Sequence, residues 1–167
     1  MSLIEPDVEA LAGELGARLL ALHCRVTAAE SCTGGLVAGA ITAIAGSSDW
    51  FDRGFVTYSN ESKRELLGVD EAVLREHGAV SEPTAIAMAD GALTRSDAAF
   101  SVAITGIAGP GGGTPSKPVG MVCFAWAKRC GSTVSATHHL AGNRAEVRHR
   151  SVAIALRGLV DLASTHG

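Results

Sequence analysis

Between Cys24 and Ile44 the chain changes its periodicity within a few residues, and that change constrains the fold more than any other feature. Cys24-Arg25-Val26-Thr27-Ala28 is short and β-branched, as suits a buried strand. It runs into Glu30-Ser31-Cys32-Thr33-Gly34-Gly35, after which Leu36 to Ile44 follows a helical pattern. A strand that passes into a helix through a glycine-rich turn is an α/β unit, and this one puts a serine where the helix start leaves backbone N–H groups free.

The flanking segments extend the same pattern. Val8, Leu11, Leu15, Leu19 and Leu22 recur every three or four residues, which predicts an amphipathic helix from Pro6 to Leu22 with Pro6 near its first turn. Gly54 to Tyr58 alternates as a second strand, and Asn60 is placed as the N-cap of a helix through Leu67 that carries Lys63 in its first turn. Asp70 caps a short helix to His77, and Ser81-Glu82-Pro83 opens a longer one through Leu93 with Pro83 at its first position. Ala98 to Ile104 is a strand of small residues, and Val119–Ala127 with Thr133–Leu140 reads as an antiparallel hairpin. A final helix starts near Asn143, with Val147, Ser151, Ile154, Leu156, Val160 and Leu162 on its inner side. This order predicts one domain over residues 1–167, of the α/β class, with a mixed sheet covered by helices on its faces. Ligands of such sheets gather where strands end and loops splay apart.

Composition narrows the function classes. With 47% hydrophobic residues but only four Phe, two Trp and one Tyr, the core must be built from Ala, Val, Leu and Ile. A formal charge of −3 with acids and bases interspersed supplies no basic field to hold a polyanion, which argues against nucleic acid as a partner. Cys24, Cys32, Cys123 and Cys130 form no C-x-x-C pair and have no His at ligand spacing, so they read as free thiols of a reducing compartment and not as a metal site. Acids at Glu5, Asp7, Glu9 and Glu14 replace the charged-then-apolar pattern of a leader, and no apolar run reaches the roughly 20 residues of a membrane span. The expectation is a cytoplasmic protein that does not enter a membrane.

Ser31 is the candidate nucleophile, with N–H groups near Thr33, Gly34 and Gly35 as oxyanion donors and glycines that let a substrate approach the backbone. By itself the motif reads more readily as a helix cap, with Ser31 or Thr33 as the capping residue. A serine needs a base, and none of the histidines, including His138 and His139 in a hairpin strand, has a spacing that ties it to Ser31. A Ser-Lys pair is the known variant. Of Lys63, Lys117 and Lys128, the last sits at a hairpin tip, while Lys63 follows a strand end and opens a helix, which makes it the base by elimination. Tyr58 stands at the end of the strand that delivers Lys63, where its hydroxyl can position the lysine or relay a proton, or simply reach water from a half-buried ring. The loop Thr105 to Gly120, with Thr105, Gly106, Gly112, Thr114 and Lys117, has the makings of an anion or nucleotide cradle stiffened by Pro110, Pro115 and Pro118, although it is neither a Walker A nor a dinucleotide fingerprint. Arg144 and Arg148, four apart at the start of the last helix, share a face that can meet a phosphate or remain solvated beside Glu146.

Taken together, these blocks resemble the CinA C-terminal domain family, which includes stand-alone nicotinamide-nucleotide amidohydrolases. The resemblance rests on Thr27 to Gly35, on Val56-Thr57-Tyr58-Ser59-Asn60 with Lys63, on Gly78-Ala79-Val80-Ser81, on Thr105 to Pro110 and Lys117 to Gly120, and on Gly142-Asn143-Arg144, in family order over nearly the whole chain. It implies a three-layer α/β/α fold and hydrolysis of nicotinamide mononucleotide to nicotinic acid mononucleotide and ammonia, with no metal or other cofactor. It also implies that Ser31 is the nucleophile, with Lys63 and Tyr58 its activating pair. Longer members carry an extra N-terminal nucleotide-processing domain, whose activity is not expected of this chain. The partner implied is a small-molecule nucleotide, and a homodimer is the default assembly. The residues alone leave open a non-catalytic nucleotide-binding module, or a competence-related regulatory one.

Overall fold

A computed structural model describes residues 7–165. Pro6, expected near the first turn of the opening helix, lies outside them; Asp7 caps that helix, its side chain accepting from Ala10 N. The elements in chain order are α1 (Val8–Leu22), β1 (Val26–Glu30), α2 (Leu36–Thr42), β2 (Phe51–Val56), α3 (Asn60–Leu67), α4 (Glu71–His77), α5 (Glu82–Thr94), β3 (Phe100–Gly106), β4 (Met121–Lys128), β5 (Thr133–His139) and α6 (Arg144–Ser164). The strands form a sheet of order β2-β1-β3-β4-β5. β1 runs parallel to β2 and β3, whereas β4 is antiparallel to β3 and β5. The mixed α/β sheet expected from the sequence is therefore present.

The two faces of the sheet are built from different residues. Because strand side chains alternate, Phe100, Val102 and Ile104 of β3 and Val122, Phe124 and Trp126 of β4 point to one side. There they pack against Leu11, Leu15 and Leu19 of α1, Val37 and Ile41 of α2, and Val147, Leu156 and Leu159 of α6. On the other side Ala103, Cys123, Ala125 and Ala127 meet Ala85, Met88, Ala89 and Ala92 of α5. Small residues on both surfaces bring helix and sheet close enough for the Ser101 hydroxyl to donate to the Ala89 carbonyl at 2.8 Å. α3 and α4 pack on α5, which completes the α/β/α layering.

The strand boundaries differ from the sequence expectation in a consistent way. Cys24 is spent on ending α1, because His23 turns left-handed and Cys24 N donates to the Leu19 carbonyl. β1 therefore starts at Val26 and runs to Glu30, in register with Phe100 to Ile104 of β3. β2 is Phe51–Val56, not Gly54–Tyr58, since it must pair with β1 from Val26↔Phe51 to Glu30↔Val56. Thr57 and Tyr58 thus lie beyond the sheet. Ser59, not Asn60, caps α3 through a reciprocal bond with Ser62, and Pro83 is the second residue of α5. In α6, Ile154 and Leu162 are only half-buried, and Ala155, Leu159 and Ala163 take the inner positions. Among the described residues no helix is long and apolar enough to cross a membrane.

Candidate active site

Ser31 follows directly on β1 at the carboxyl ends of the parallel strands, and its N–H donates to the Ile104 carbonyl of β3 at 2.9 Å. The turn after it needs positive φ at Gly34 (56°) and Gly35 (103°), which a side chain would oppose. Lys63, delivered by the fourth residue of α3, is 1% exposed. Its Nζ donates to the Ser31 Oγ at 3.1 Å and to the Thr57 carbonyl at 3.0 Å. Among the described residues no carboxylate pairs with it. Burial therefore holds its pKa below the ordinary lysine value, with the nearby Cys32 opposing. An amine pushed toward its neutral form 3.1 Å from a serine hydroxyl can take that hydroxyl's proton.

Cys32, the other possible nucleophile beside Ser31, is held as a thiol. Burial pushes its pKa up to about 12, so it offers no thiolate at neutral pH.

Two charged groups hold the Ser31 turn from opposite ends. Glu30, fully buried at the end of β1, accepts from Gly35 N at 3.2 Å and Val37 N at 2.9 Å through Oε1, and from Ala38 N at 3.0 Å through Oε2. These are the orphan donors of the α2 N-terminus, for which no capping side chain is otherwise present. From α6, Arg148 donates through Nε to the Cys32 carbonyl at 3.1 Å and through Nη2 to the Thr33 carbonyl at 3.3 Å.

A cavity of about 200 Å³ opens over Ser31 and Lys63, lined also by Cys32, Tyr58, Asn60, Ala79, Val80, Thr105, Gly106, Ala108 and Arg144. Arg144 forms its mouth, donating to the Gly109 carbonyl at 2.9 Å and to the Tyr58 hydroxyl at 3.0 Å. A wider groove continues past Ala108 and Arg144 to Pro110, Val119 and Gly142. A larger, mostly apolar groove of about 850 Å³ lies between α1, α6 and β5, and contains none of these groups.

The family model for the CinA C-terminal domain matches residues 8–163. The chain belongs to the CinA C-terminal domain family. Nicotinamide-nucleotide amidohydrolase PncC of Escherichia coli (strain K12) is 50% identical over 155 residues, covering 93% of this chain and 94% of that protein. A CinA-like protein of Mycobacterium marinum is 56% identical over 143 residues, which are 86% of this chain but 33% of that longer protein. The crystal structure of competence/damage inducible protein CihA from Agrobacterium tumefaciens superposes with a TM-score of 0.92 at 50% identity, covering 97% of this chain and 99% of that one.

Within this CinA domain, Ser31, Lys63, Tyr58, Thr105, Gly106 and Arg144 line one cavity. Thr33, Gly34, Gly35 and Gly112 do not line it. Gly34 N already donates to the Ser31 carbonyl and Gly35 N to Glu30, so neither is the free oxyanion donor the sequence led us to expect. Thr33 is fully buried, and its hydroxyl has no hydrogen-bond partner among the described residues. Gly112 sits in an exposed loop.

Tyr58 is 62% exposed and its hydroxyl is bonded to Arg144, not to Lys63; the Thr57 carbonyl orients the lysine instead. Lys117, expected in an anion cradle, donates through Nζ to the His77 carbonyl at the end of α4. Together with the Thr105 hydroxyl, which donates to the Ala79 carbonyl at 2.8 Å, it straps the glycine loop to the α4–α5 connection. Arg148 is engaged by the turn, while Glu146 caps α6 by accepting from Asn143 N at 2.6 Å. Glu30 was not expected as part of the site, and Arg148, expected at a phosphate, holds the turn instead. An acid immediately before a nucleophile turn that opens a helix was the available signal for Glu30.

Proposed function

We propose that this protein hydrolyses the carboxamide of nicotinamide mononucleotide to nicotinic acid mononucleotide and ammonia, with Ser31 as nucleophile and Lys63 as base. The observation that carries the reading is the 3.1 Å contact between the Ser31 hydroxyl and a buried lysine that has no carboxylate partner among the described residues. The 50% identity to a protein named nicotinamide-nucleotide amidohydrolase supplies the substrate class.

In the proposed reaction neutral Lys63 takes the Ser31 proton as Oγ bonds to the amide carbon. The negative charge that develops on the amide oxygen is met by the N–H of Cys32, a residue that lines the cavity and whose N–H donates to no oxygen among the described residues. The C–N bond then breaks, and Lys63 returns its proton to the departing nitrogen, which leaves as ammonia. Water attacks the resulting ester and gives a proton to Lys63; the ester bond breaks, Oγ recovers that proton and the acid product is released. Pockets that enclose a whole small ligand run to about 300–1,000 Å³. At about 200 Å³, the cavity over Ser31 suits the pyridine-carboxamide end alone. The ribose phosphate would lie past Arg144, in the adjoining groove of about 560 Å³.

Purified protein incubated with nicotinamide mononucleotide, its riboside and free nicotinamide should release ammonia fastest from the mononucleotide and yield the corresponding acid. Ser31→Ala should remove turnover while leaving the circular-dichroism spectrum and melting point near those of the parent. Binding of the mononucleotide with no ammonia released would instead select a non-catalytic nucleotide module.

A further inference from the structure

The donor invoked for the oxyanion is a main-chain N–H in a turn whose ends are held by the secondary structure, Ser31 N–H donating to the Ile104 carbonyl of β3 and Leu36 N–H of α2 to the Thr33 carbonyl. That leaves the Cys32 carbonyl and its peptide plane to be fixed from elsewhere. In a trans peptide the C=O of one residue and the N–H of the next point in opposite directions. Holding a carbonyl therefore aims the following N–H. Arg148 holds two successive carbonyls of this turn, those of Cys32 and Thr33. Its grip on the Cys32 carbonyl directs the Thr33 N–H away from α6. Its grip on the Thr33 carbonyl, shared with the Leu36 N–H of α2, directs the Gly34 N–H the same way, and that N–H donates to the Ser31 carbonyl at 3.0 Å. The Ser31 carbonyl, held in turn, aims the N–H of Cys32, the residue after the nucleophile and one that lines the cavity.

We infer that Arg148 is a positioning residue for the oxyanion donor: its guanidinium, planar and forked, sets two peptide planes of the turn and through them the Cys32 N–H. The inference rests on the amidase reading for its catalytic meaning, but the geometry it describes exists without substrate. Two observations favour it over a phosphate-binding role. Among the described residues both of Arg148's hydrogen bonds are to this turn, and Arg144, one turn earlier on α6, already occupies the cavity mouth. Gly34 belongs to the same arrangement, since a Cβ there would lie 3.3 Å from the Arg148 Nη2.

The test compares Arg148→Met and Arg148→Lys with the parent. Steady-state ammonia release from the mononucleotide and the riboside should show kcat lowered about tenfold or more by Met, short of the ~10²–10³ lost when a donor is removed outright. The factor should be the same for both substrates, with KM within about twofold, and Lys should restore part of the rate because it can hold one carbonyl but not two. A rise in KM confined to the phosphorylated substrate, or an unchanged kcat, would overturn the inference. The second measurement needs no turnover. In amide NMR spectra of Arg148→Met the Cys32 and Thr33 resonances should move while those of Val37 and Ala38, held by Glu30, stay put; unmoved Cys32 and Thr33 signals would also overturn it. If the parent releases no ammonia but those resonances move as described, the amidase reading fails and the positioning role stands.

Discussion

Replacing Glu30 by Gln tests whether the nucleophile turn is held by a charge or merely by packing. The carboxylate is fully buried and accepts three backbone N–H groups, two at Oε1 and one at Oε2. Gln can keep its oxygen toward Gly35 and Val37, but its amide nitrogen then faces the Ala38 N–H, donor against donor. Stranding that part-buried donor costs about 1–3 kcal/mol, and the two remaining bonds lose charge assistance worth about 1 kcal/mol each. The expected loss is about 3–5 kcal/mol, a large part of the ~5–15 kcal/mol of a typical domain. Ala would strand all three donors at about 1–3 kcal/mol each, so Gln is the more informative variant because it should still fold. Urea unfolding followed by circular dichroism gives the number directly, with an unchanged m-value showing that the denatured state is not the cause. A Gln variant within about 1 kcal/mol of the parent would refute the assignment of Glu30 as the cap of α2.

Three further outcomes follow from the same geometry. Since only the neutral amine of Lys63 accepts a proton, kcat/KM should rise with pH through its lowered pKa. The unfolded chain binds the additional proton between that value and the ordinary lysine pKa, so folding stability should also rise with pH across this interval. Lys63→Met should lower kcat by about 10²-fold or more and abolish the Lys63 part of that stability slope; a rate loss under threefold would exclude Lys63 as base. Tyr58→Phe removes one hydrogen-bond partner of Arg144 and nothing bonded to Lys63, so its effect should fall on KM for the mononucleotide, and a tenfold fall in kcat at constant KM would show that the hydroxyl takes part in proton transfer. A Cβ at Gly91 would sit 2.0 Å from the Leu67 carbonyl oxygen, whereas at Gly13 it meets nothing within 4 Å. Gly91→Ala should therefore destabilise by about 1–3 kcal/mol and Gly13→Ala stabilise by about 0.5–1 kcal/mol, as two thermal melts would show.

The Ser31–Lys63 pair was legible in the sequence because each residue is announced locally: a serine at a strand-to-helix turn, and a lysine just past a strand end. Parallel pairing of β1 and β2 then brings those two ends together. Tyr58 was harder to place, because β2 ends at Val56, where its partner strand ends, and no local pattern encodes that stop. The phenol is consequently turned out to the cavity mouth, two residues beyond the sheet. Arg148 was legible as a cation on the same helix face as Arg144, but not as a ligand of carbonyls 115 and 116 residues earlier in the chain. Contacts of that span depend on how α6 crosses the ends of the strands, which periodicity does not report. The glycine loop illustrates the converse: glycines, hydroxyls and a lysine suggest an anion cradle, yet here Lys117 and Thr105 bind carbonyls and the loop is strapped down.

The N-terminus of a helix after a glycine-rich turn is where α/β proteins commonly hold a phosphate, because its free N–H groups and dipole attract an anion. In this chain that place is filled from within. Glu30 takes the Gly35, Val37 and Ala38 N–H groups, so an incoming phosphate would find a carboxylate already there and its donors spent. A phosphorylated substrate that presents its amide to Ser31 must therefore extend the other way, past Arg144. The proposed chemistry would then be carried by β1 and α3, and phosphate recognition by the start of α6. On this arrangement Arg144→Met should raise KM for the mononucleotide far more than for the riboside while sparing kcat, and an equal rise for both substrates would mean that the phosphate binds elsewhere.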